Sequence, residues 1–435
     1  MSSINIVNGR VWVGAKFTEA GISISNGIIQ KIAKEHRLPE AVGKIDARGK
    51  MVFPGFIDVH AHLRDAEYSY KEDFQSGTSA AVAGGFTTVL DMPNTSPPII
   101  NAEALRKRIK SAKGKIYCNV GFYGTTNNPS IAAELADAGC IAFKAYLHKA
   151  IDGVTFDPEK IANLMVAARK DRRLVCFHAE DPTLIDKNTK TPENHLRAHP
   201  VKAEVSAIEQ IIKIASLNHG KVHICHLSTK EGLRLITEAR KTGIDISCEA
   251  TPHHMLLNSA IIDQFGGLAA VEPPLRTQDD SAAILDGVSA GLIPIVATDH
   301  APHTMKEKGN QNPKPGFPQL ETLAGLLFML VNQERISVKR AVAALTENPA
   351  SRFNMNRIGA LKEGSSANIT IIDPKKNWKI DSSAFYSKAK YSPFEGRRVR
   401  GKVFATVVGG NLVYQQGEIV SKPQGEIAYG SEVRS

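Results

Sequence analysis

Residues 55–65 read GFIDVHAHLRD: a short apolar, β-branched run, then two histidines at 60 and 62, then an arginine at 64. The run is too short for a helix and bounded by Gly55, so it reads as a buried strand. Alternate residues of a strand face the same way, so His60 and His62 leave its end side by side. The same grammar recurs along the chain. Apolar runs at 86–92, 115–122, 140–147, 173–179, 221–227, 244–250 and 293–299 are separated, for the most part, by stretches with helical spacing, such as 102–113, 157–170, 202–217 and 231–241. Eight strands alternating with helices predict an α/β fold with a parallel sheet, and eight such units are what a (β/α)8 barrel requires. The long stretch after Ala250 marks an insertion before the eighth strand.

Outside this repeat the chain changes character. Asn26-Gly27 separates alternating residues 22–25 from 28–32, and Gly409-Gly410-Asn411 separates 403–408 from 412–414; both read as hairpins, with a further strand at 368–372. The expected organisation is a barrel over 53–358 and a small β domain assembled from both ends, 1–52 and 359–435. The ends meet because a barrel's first and last units are neighbours.

Composition narrows the function classes. Of the 435 residues 42% are apolar, which excludes a mainly disordered chain. The densest apolar run, 323–331, is nine residues long, against about 20 for a membrane span. The N-terminus MSSINIVNGR has no basic region followed by an apolar one, so no secretory signal is expected. Five cysteines without a CxxC, lying in strand-like runs, fit buried reduced thiols in a cytoplasmic protein. The net charge of +10 is spread along the whole chain, and its densest cluster (Arg397, Arg398, Arg400, Lys402) has no interleaved aromatic platform. Nucleic acid is therefore not an expected partner, whereas an anionic small molecule is.

The chemistry gathers at the strand ends, where a barrel of this kind places its active site. Strand one ends in His60 and His62, strand five in His178-Ala179-Glu180, strand six in His226, and strand eight in Asp299-His300-Ala301-Pro302-His303. Each histidine alone reads as a structural residue. Four histidines and an aspartate at one face point to a metal centre, and imidazole with carboxylate suits Zn²⁺. Lys144 stands inside the apolar strand 141–147. One reading is a side chain that snorkels or pairs with an acid. The other is a buried amine that loses its proton and takes up carbon dioxide, giving a carbamate able to bridge two ions.

Taken together, GFIDVHAHLRD (55–65), DMPNT (91–95), FKAYL (143–147), FHAED (177–181), HICHLSTKE (223–231), ATPHH (250–254), PPLR (273–276) and ATDHAPH (297–303) resemble the cyclic amidohydrolases, most closely the lysine-bearing, two-metal dihydroorotases. The resemblance runs from about residue 1 to 415. It implies that His60, His62 and Asp299 hold one Zn²⁺ and His178 and His226 a second. N6-carboxylated Lys144 and a hydroxide would bridge them. It implies reversible hydrolysis of dihydroorotate to N-carbamoyl-L-aspartate in pyrimidine biosynthesis, with Asp299 carrying the proton. Arg64 and Asn94 would grip the substrate carboxylate, and His303 would reach it from the other side. Pro315 and Gly316, in the polar stretch 304–318 that could close over the site, would offer backbone contacts to the ring. Association with a second copy or with an aspartate transcarbamoylase is a further expectation. The alternatives are a hydantoinase or allantoinase, whose rings lack the carboxylate, and a non-catalytic scaffold, which would be expected to have lost ligands. The chain departs from the pattern at Glu272, where many relatives have Asn or Arg: the carboxylate points away or contacts the ring N–H. It departs again at Asp65-Ala66-Glu67, which lacks a Pro-Gly turn. Glu180 is expected behind a ligand histidine; no direct role is expected for Glu249, His253 or His254.

Overall fold

A computed structural model describes residues 3–186, 197–310 and 312–430. Eight parallel strands follow one another around a nearly closed barrel: Phe56–Ala61, Phe86–Asp91, Asn119–Gly124, Ala142–Tyr146, Leu174–His178, Val222–Ile224, Ile246–Ala250 and Ile295–Val296. The ring closes between the last and first strands through a parallel bridge from Ala61 to His300 and a 2.8 Å hydrogen bond from His62 N–H to the His300 carbonyl. The helices expected between strands are present, among them Ala102–Ala112, Pro158–Lys170, Val201–Asn218 and Lys230–Lys241. Their buried faces carry the aliphatic residues at helical spacing, for example Leu233, Ile236 and Ala239. The insertion after strand seven consists of short helical turns and the capped helix Gln278–Ala290. The run 323–331 forms a buried helix, Leu323–Asn332, and among the described residues no helix is long and apolar enough to cross a membrane.

A second, mixed sheet is built from both ends of the chain. Its seam is the antiparallel pair Met51–Pro54 with Ile369–Lys379, with Val52 opposite Ile371. The two expected hairpins are present. Asn26 (φ 50°) and Gly27 (φ 75°), and likewise Gly409 (φ 54°) and Gly410 (φ 80°), supply the left-handed pairs that a two-residue type I′ turn needs. Phe53 sits between this sheet and the barrel, its ring 6.2 Å from Phe56 and 5.5 Å from Phe328.

Several expectations about extent differ: strand three begins at Asn119 rather than 115, strand six ends at Ile224 rather than 227, and two further differences bear on the site and the chain end. Strand eight stops at Val296 rather than 299, because Thr298 turns to bond the buried Asp58 through both its N–H and its hydroxyl, and Asp299 then adopts φ 45°. The C-terminal stretch does not all stay with the second sheet: Ile427–Ala428 pairs in parallel with Val120 and Gly121 of barrel strand three. Its entry is close-packed, since a Cβ on Gly425 would lie 2.0 Å from the Cys118 carbonyl oxygen.

Candidate active site

All eleven residues singled out from the sequence (His60, His62, Arg64, Asn94, Lys144, His178, His226, Asp299, His303, Pro315 and Gly316) line one cavity of about 360 Å³ at the C-terminal ends of the strands. Asp299 Oδ1 lies 3.2 Å from His60 Nε2 and 3.3 Å from His62 Nε2. His178 Nδ1 faces His226 Nε2 at 3.1 Å. Ligand atoms of His60, His226 and Asp299 fall within 4.8 Å of one another, so the two groups adjoin. His60, Cys225 and Glu249 meet the same distance limit just beneath.

His60 and His178 are held from behind by carboxylates. Glu180 takes His178 Nε2 at 2.6 Å, which aims Nδ1 into the cavity. Glu249 takes His60 Nδ1 at 2.5 Å and His223 Nε2 at 3.0 Å, leaving His60 Nε2 toward Asp299. Glu249 thus acts through His60 rather than in the cavity itself, a positioning role that sequence reading did not assign. It is a carboxylate inside the apolar strand Ile246–Ala250, the same signal that picked out Lys144. His253 and His254 are buried behind the site, with His254 Nε2 on the Pro273 carbonyl at 3.1 Å.

The electrostatics favour a bound cation. Burial holds His62 and His178 down to about 3 and His226 well below its ordinary value, so these imidazoles are neutral donors. Burial and the Lys144 charge oppose a proton on His60, yet Asp299 and Glu249 on either side carry it up to about 10. His60 and His62 in turn hold the Asp299 carboxyl below its usual range, against the pull of burial. Lys144 is fully buried, and its Nζ has no hydrogen-bond partner among the described residues; the nearest aromatic face is Tyr146, 5.3 Å away. The snorkelling and acid-paired readings of Lys144 therefore find no support. An unpaired buried amine next to four imidazoles and a carboxylate fits a carbamate that supplies oxygen to a pair of divalent ions.

The backbone is strained where the chemistry is. Arg64 (φ 56°), His226 (φ 35°) and Asp299 (φ 45°) are non-glycine residues in the left-handed region. Such residues cost about 1–3 kcal/mol each and persist where their surroundings enforce them. Around Arg64 that enforcement comes from Asp91, which accepts from Leu63 N–H at 2.8 Å and from Arg108 at 2.7 Å.

The three residues expected to bind the substrate carboxylate, Arg64, Asn94 and His303, line the cavity together. Arg64 is buried, donates through Nε to the Pro302 carbonyl at 3.3 Å and, among the described residues, has no carboxylate within 4 Å. Asn94 lines the cavity, but its Oδ1 holds His62 Nδ1 at 2.7 Å. His303 stands between Lys71 (3.4 Å), Arg64 (3.3 Å) and the Pro315 carbonyl (3.1 Å). Lys71 is a second cation here that sequence reading passed over. The backbone groups of Pro315 and Gly316, from which contacts to a ligand were expected, line the cavity and already have protein partners. The Pro315 carbonyl is taken by His303, Gly316 N–H by Ala270 at 3.0 Å, and the Gly316 carbonyl by Lys308 and Tyr391, both at 3.1 Å.

Lys308 explains why that loop lies where it does. It is fully buried, and its three ammonium hydrogens meet the carbonyls of Ala270 (2.8 Å), Lys314 (3.1 Å) and Gly316 (3.1 Å). Burial brings its pKa down to about 7. The stretch 304–318 is thus stapled to the insertion before strand eight. Lys308→Met removes three hydrogen bonds and leaves the Lys314 carbonyl unpaired, while Gly316 N–H and Tyr391 still serve the other two; it should lower stability by about 3 kcal/mol and raise KM more than it lowers kcat. A urea midpoint and a kinetic titration check both.

Comparison with known proteins agrees with this geometry. Residues 51–413 match the model of the amidohydrolase family. The chain is 36% identical over 426 residues to the dihydroorotase of Pyrococcus furiosus, covering 97% of this chain and 95% of that one. It is 36% identical over 427 residues to the dihydroorotase of Carboxydothermus hydrogenoformans, covering 94% and 98%. Among solved structures, the L-hydantoinase (dihydropyrimidinase) from Arthrobacter aurescens superposes with a TM-score of 0.94 at 27% identity, covering 99% of this chain and all of that one. With the fold, the strand-end histidines and near full-length identity all in agreement, the chain belongs to the amidohydrolase family.

Proposed function

We propose that the chain is a dihydroorotase, opening the ring of dihydroorotate to N-carbamoyl-L-aspartate and, in pyrimidine biosynthesis, closing it. The observation that carries this reading is Arg64: a buried guanidinium without an anionic partner among the described residues, beside the ligand cluster. A buried charge needs a counter-ion, and the carboxylate of dihydroorotate supplies one, whereas hydantoin and allantoin rings do not. The 36% identity to dihydroorotases, against 27% to the hydantoinase, points the same way.

The residues then take these roles. His60, His62, Asp299, His178, His226 and Lys144 as its carbamate would hold two divalent ions, zinc by the chemistry of the donors. Such a pair, when bound, supplies a nucleophilic hydroxide at neutral pH and polarises the amide carbonyl. Arg64 fixes the substrate carboxylate and so sets the ring amide over the cluster. Asp299, kept ionised by His60 and His62, accepts the proton of the attacking water and returns it to the leaving ring nitrogen. Asn94 orients His62, and Glu180 and Glu249 fix the ring positions of His178 and His60.

The deciding experiment offers L-dihydroorotate, a 5-substituted hydantoin and allantoin separately to the zinc-loaded protein. Turnover of dihydroorotate alone is expected; turnover confined to hydantoin or allantoin would overturn the substrate assignment. Arg64→Met should raise KM for dihydroorotate about 100-fold, since removing one partner of a buried charge pair costs about 2–5 kcal/mol. An unchanged KM would remove Arg64 from the carboxylate subsite.

A further inference from the structure

Arg64, the residue proposed to take the substrate carboxylate, and His303 beside it follow strands one and eight, which are neighbours around the barrel. Across the barrel, after strand four, the cavity wall is made by Tyr146, His148 and Lys149. The His148 side chain is 5% exposed, and its ring centroid lies 3.7 Å from that of His178. Neither of its ring nitrogens has a hydrogen-bond partner among the described residues. Glu272, from the insertion before strand eight, reaches the same place: its Oε2 is 3.4 Å from Lys149 Nζ and 3.6 Å from His148 Nε2. Glu272 lines the cavity and so turns toward it rather than away.

We infer that His148 and Glu272 form the subsite for the ureide of the substrate, at its carbonyl and at the nitrogen that becomes the terminal amide of N-carbamoyl-L-aspartate, the part farther from the carboxylate. This rests on the dihydroorotase reading. A ureide presents N–H donors beside a carbonyl acceptor. A carboxylate oxygen accepts the N–H, and a neutral imidazole donates its own N–H to the carbonyl, so the pair matches both. Lys149 balances the Glu272 charge, so that the wall does not repel an anionic ligand. Leaving the buried His148 without its partner is what makes such a site reject an analogue lacking the matching hydrogen bond.

The test compares three ligands on the metal-loaded protein by calorimetry or competition. N-carbamoyl-L-aspartate carries the ureide, N-acetyl-L-aspartate replaces its terminal amine by methyl, and succinate has only the carboxylates. The wild-type chain should prefer the carbamoyl over the acetyl compound at least tenfold. Glu272→Gln and His148→Ala should each cut that preference below threefold and leave succinate affinity within twofold of wild type, with metal content measured alongside. Preference retained in both variants overturns the inference. So does a parallel loss of succinate binding, which marks a general disturbance of the cavity. Failure of the underlying reading shows separately, as a wild-type protein that does not turn over dihydroorotate.

Discussion

Asp299→Asn should lower turnover of dihydroorotate by about 10³-fold or more while leaving the fold intact. A positioned general acid–base group contributes about 10²–10⁴-fold, and Asp299 combines that role with a ligand position between His60 and His62. Asn is the informative replacement because Asp299 has φ 45°, a conformation that Asn tolerates and Ala resists. Asp299→Ala should be equally inactive, with an added stability cost that Asn avoids. The mutant amide cannot accept a proton, and it removes one of the two carboxylates that flank His60. The measurements are kcat/KM over a pH series and an unfolding midpoint for each variant. Inactivity with a wild-type midpoint in the Asn variant supports the proton-carrying role. Activity retained in the Asn variant removes it, whatever the Ala variant does.

The parts of the site that were legible in the sequence are those where one residue type in an unsuitable place carries the signal. Histidines at 60, 62, 178 and 226 end apolar strands, and Lys144 interrupts one; burial of a polar side chain demands a reason, so each could be read in one dimension. Glu249 carries the same signal, and its hold on His60 was within reach of the same argument. Roles that depend on what a group already touches were not legible. Asn94 lines the cavity, but its oxygen is occupied by His62. The Pro315 and Gly316 backbone groups are used by His303, Ala270, Lys308 and Tyr391. Lys308 reads as one more surface lysine in a polar loop until three carbonyls are seen around it. The barrel was legible for a different reason. Its repeat is local, strand then helix, while the return of Ile427–Ala428 to strand three joins residues some 300 positions apart, which no local pattern encodes.

Lys144 offers the other large effect. Lys144→Ala should reduce bound metal and lower turnover by about 10³-fold, and added acetate or propionate should restore part of both. The expectation follows from the unpaired Nζ. A fully buried ammonium without a partner would cost several kcal/mol, so the amine is held there for a reaction that removes its charge. Addition of carbon dioxide to the neutral amine forms an N–C bond, releases a proton and leaves a carbamate with two oxygens. Truncation to Ala empties the space that this group fills, and a short carboxylic acid carries two oxygens of the same geometry into it. Lys144→Met separates the contributions: it keeps the volume but excludes the acid, so it should lose metal without rescue. Metal analysis of the three proteins, with and without acetate, reads the outcome independently of turnover. Wild-type metal content in Lys144→Ala would mean that the four histidines and Asp299 suffice, and the bridging role of Lys144 would be wrong. Loss of metal from both variants, with acetate restoring it to the Ala variant alone, would make the carbamate the group that joins the two halves of the cluster.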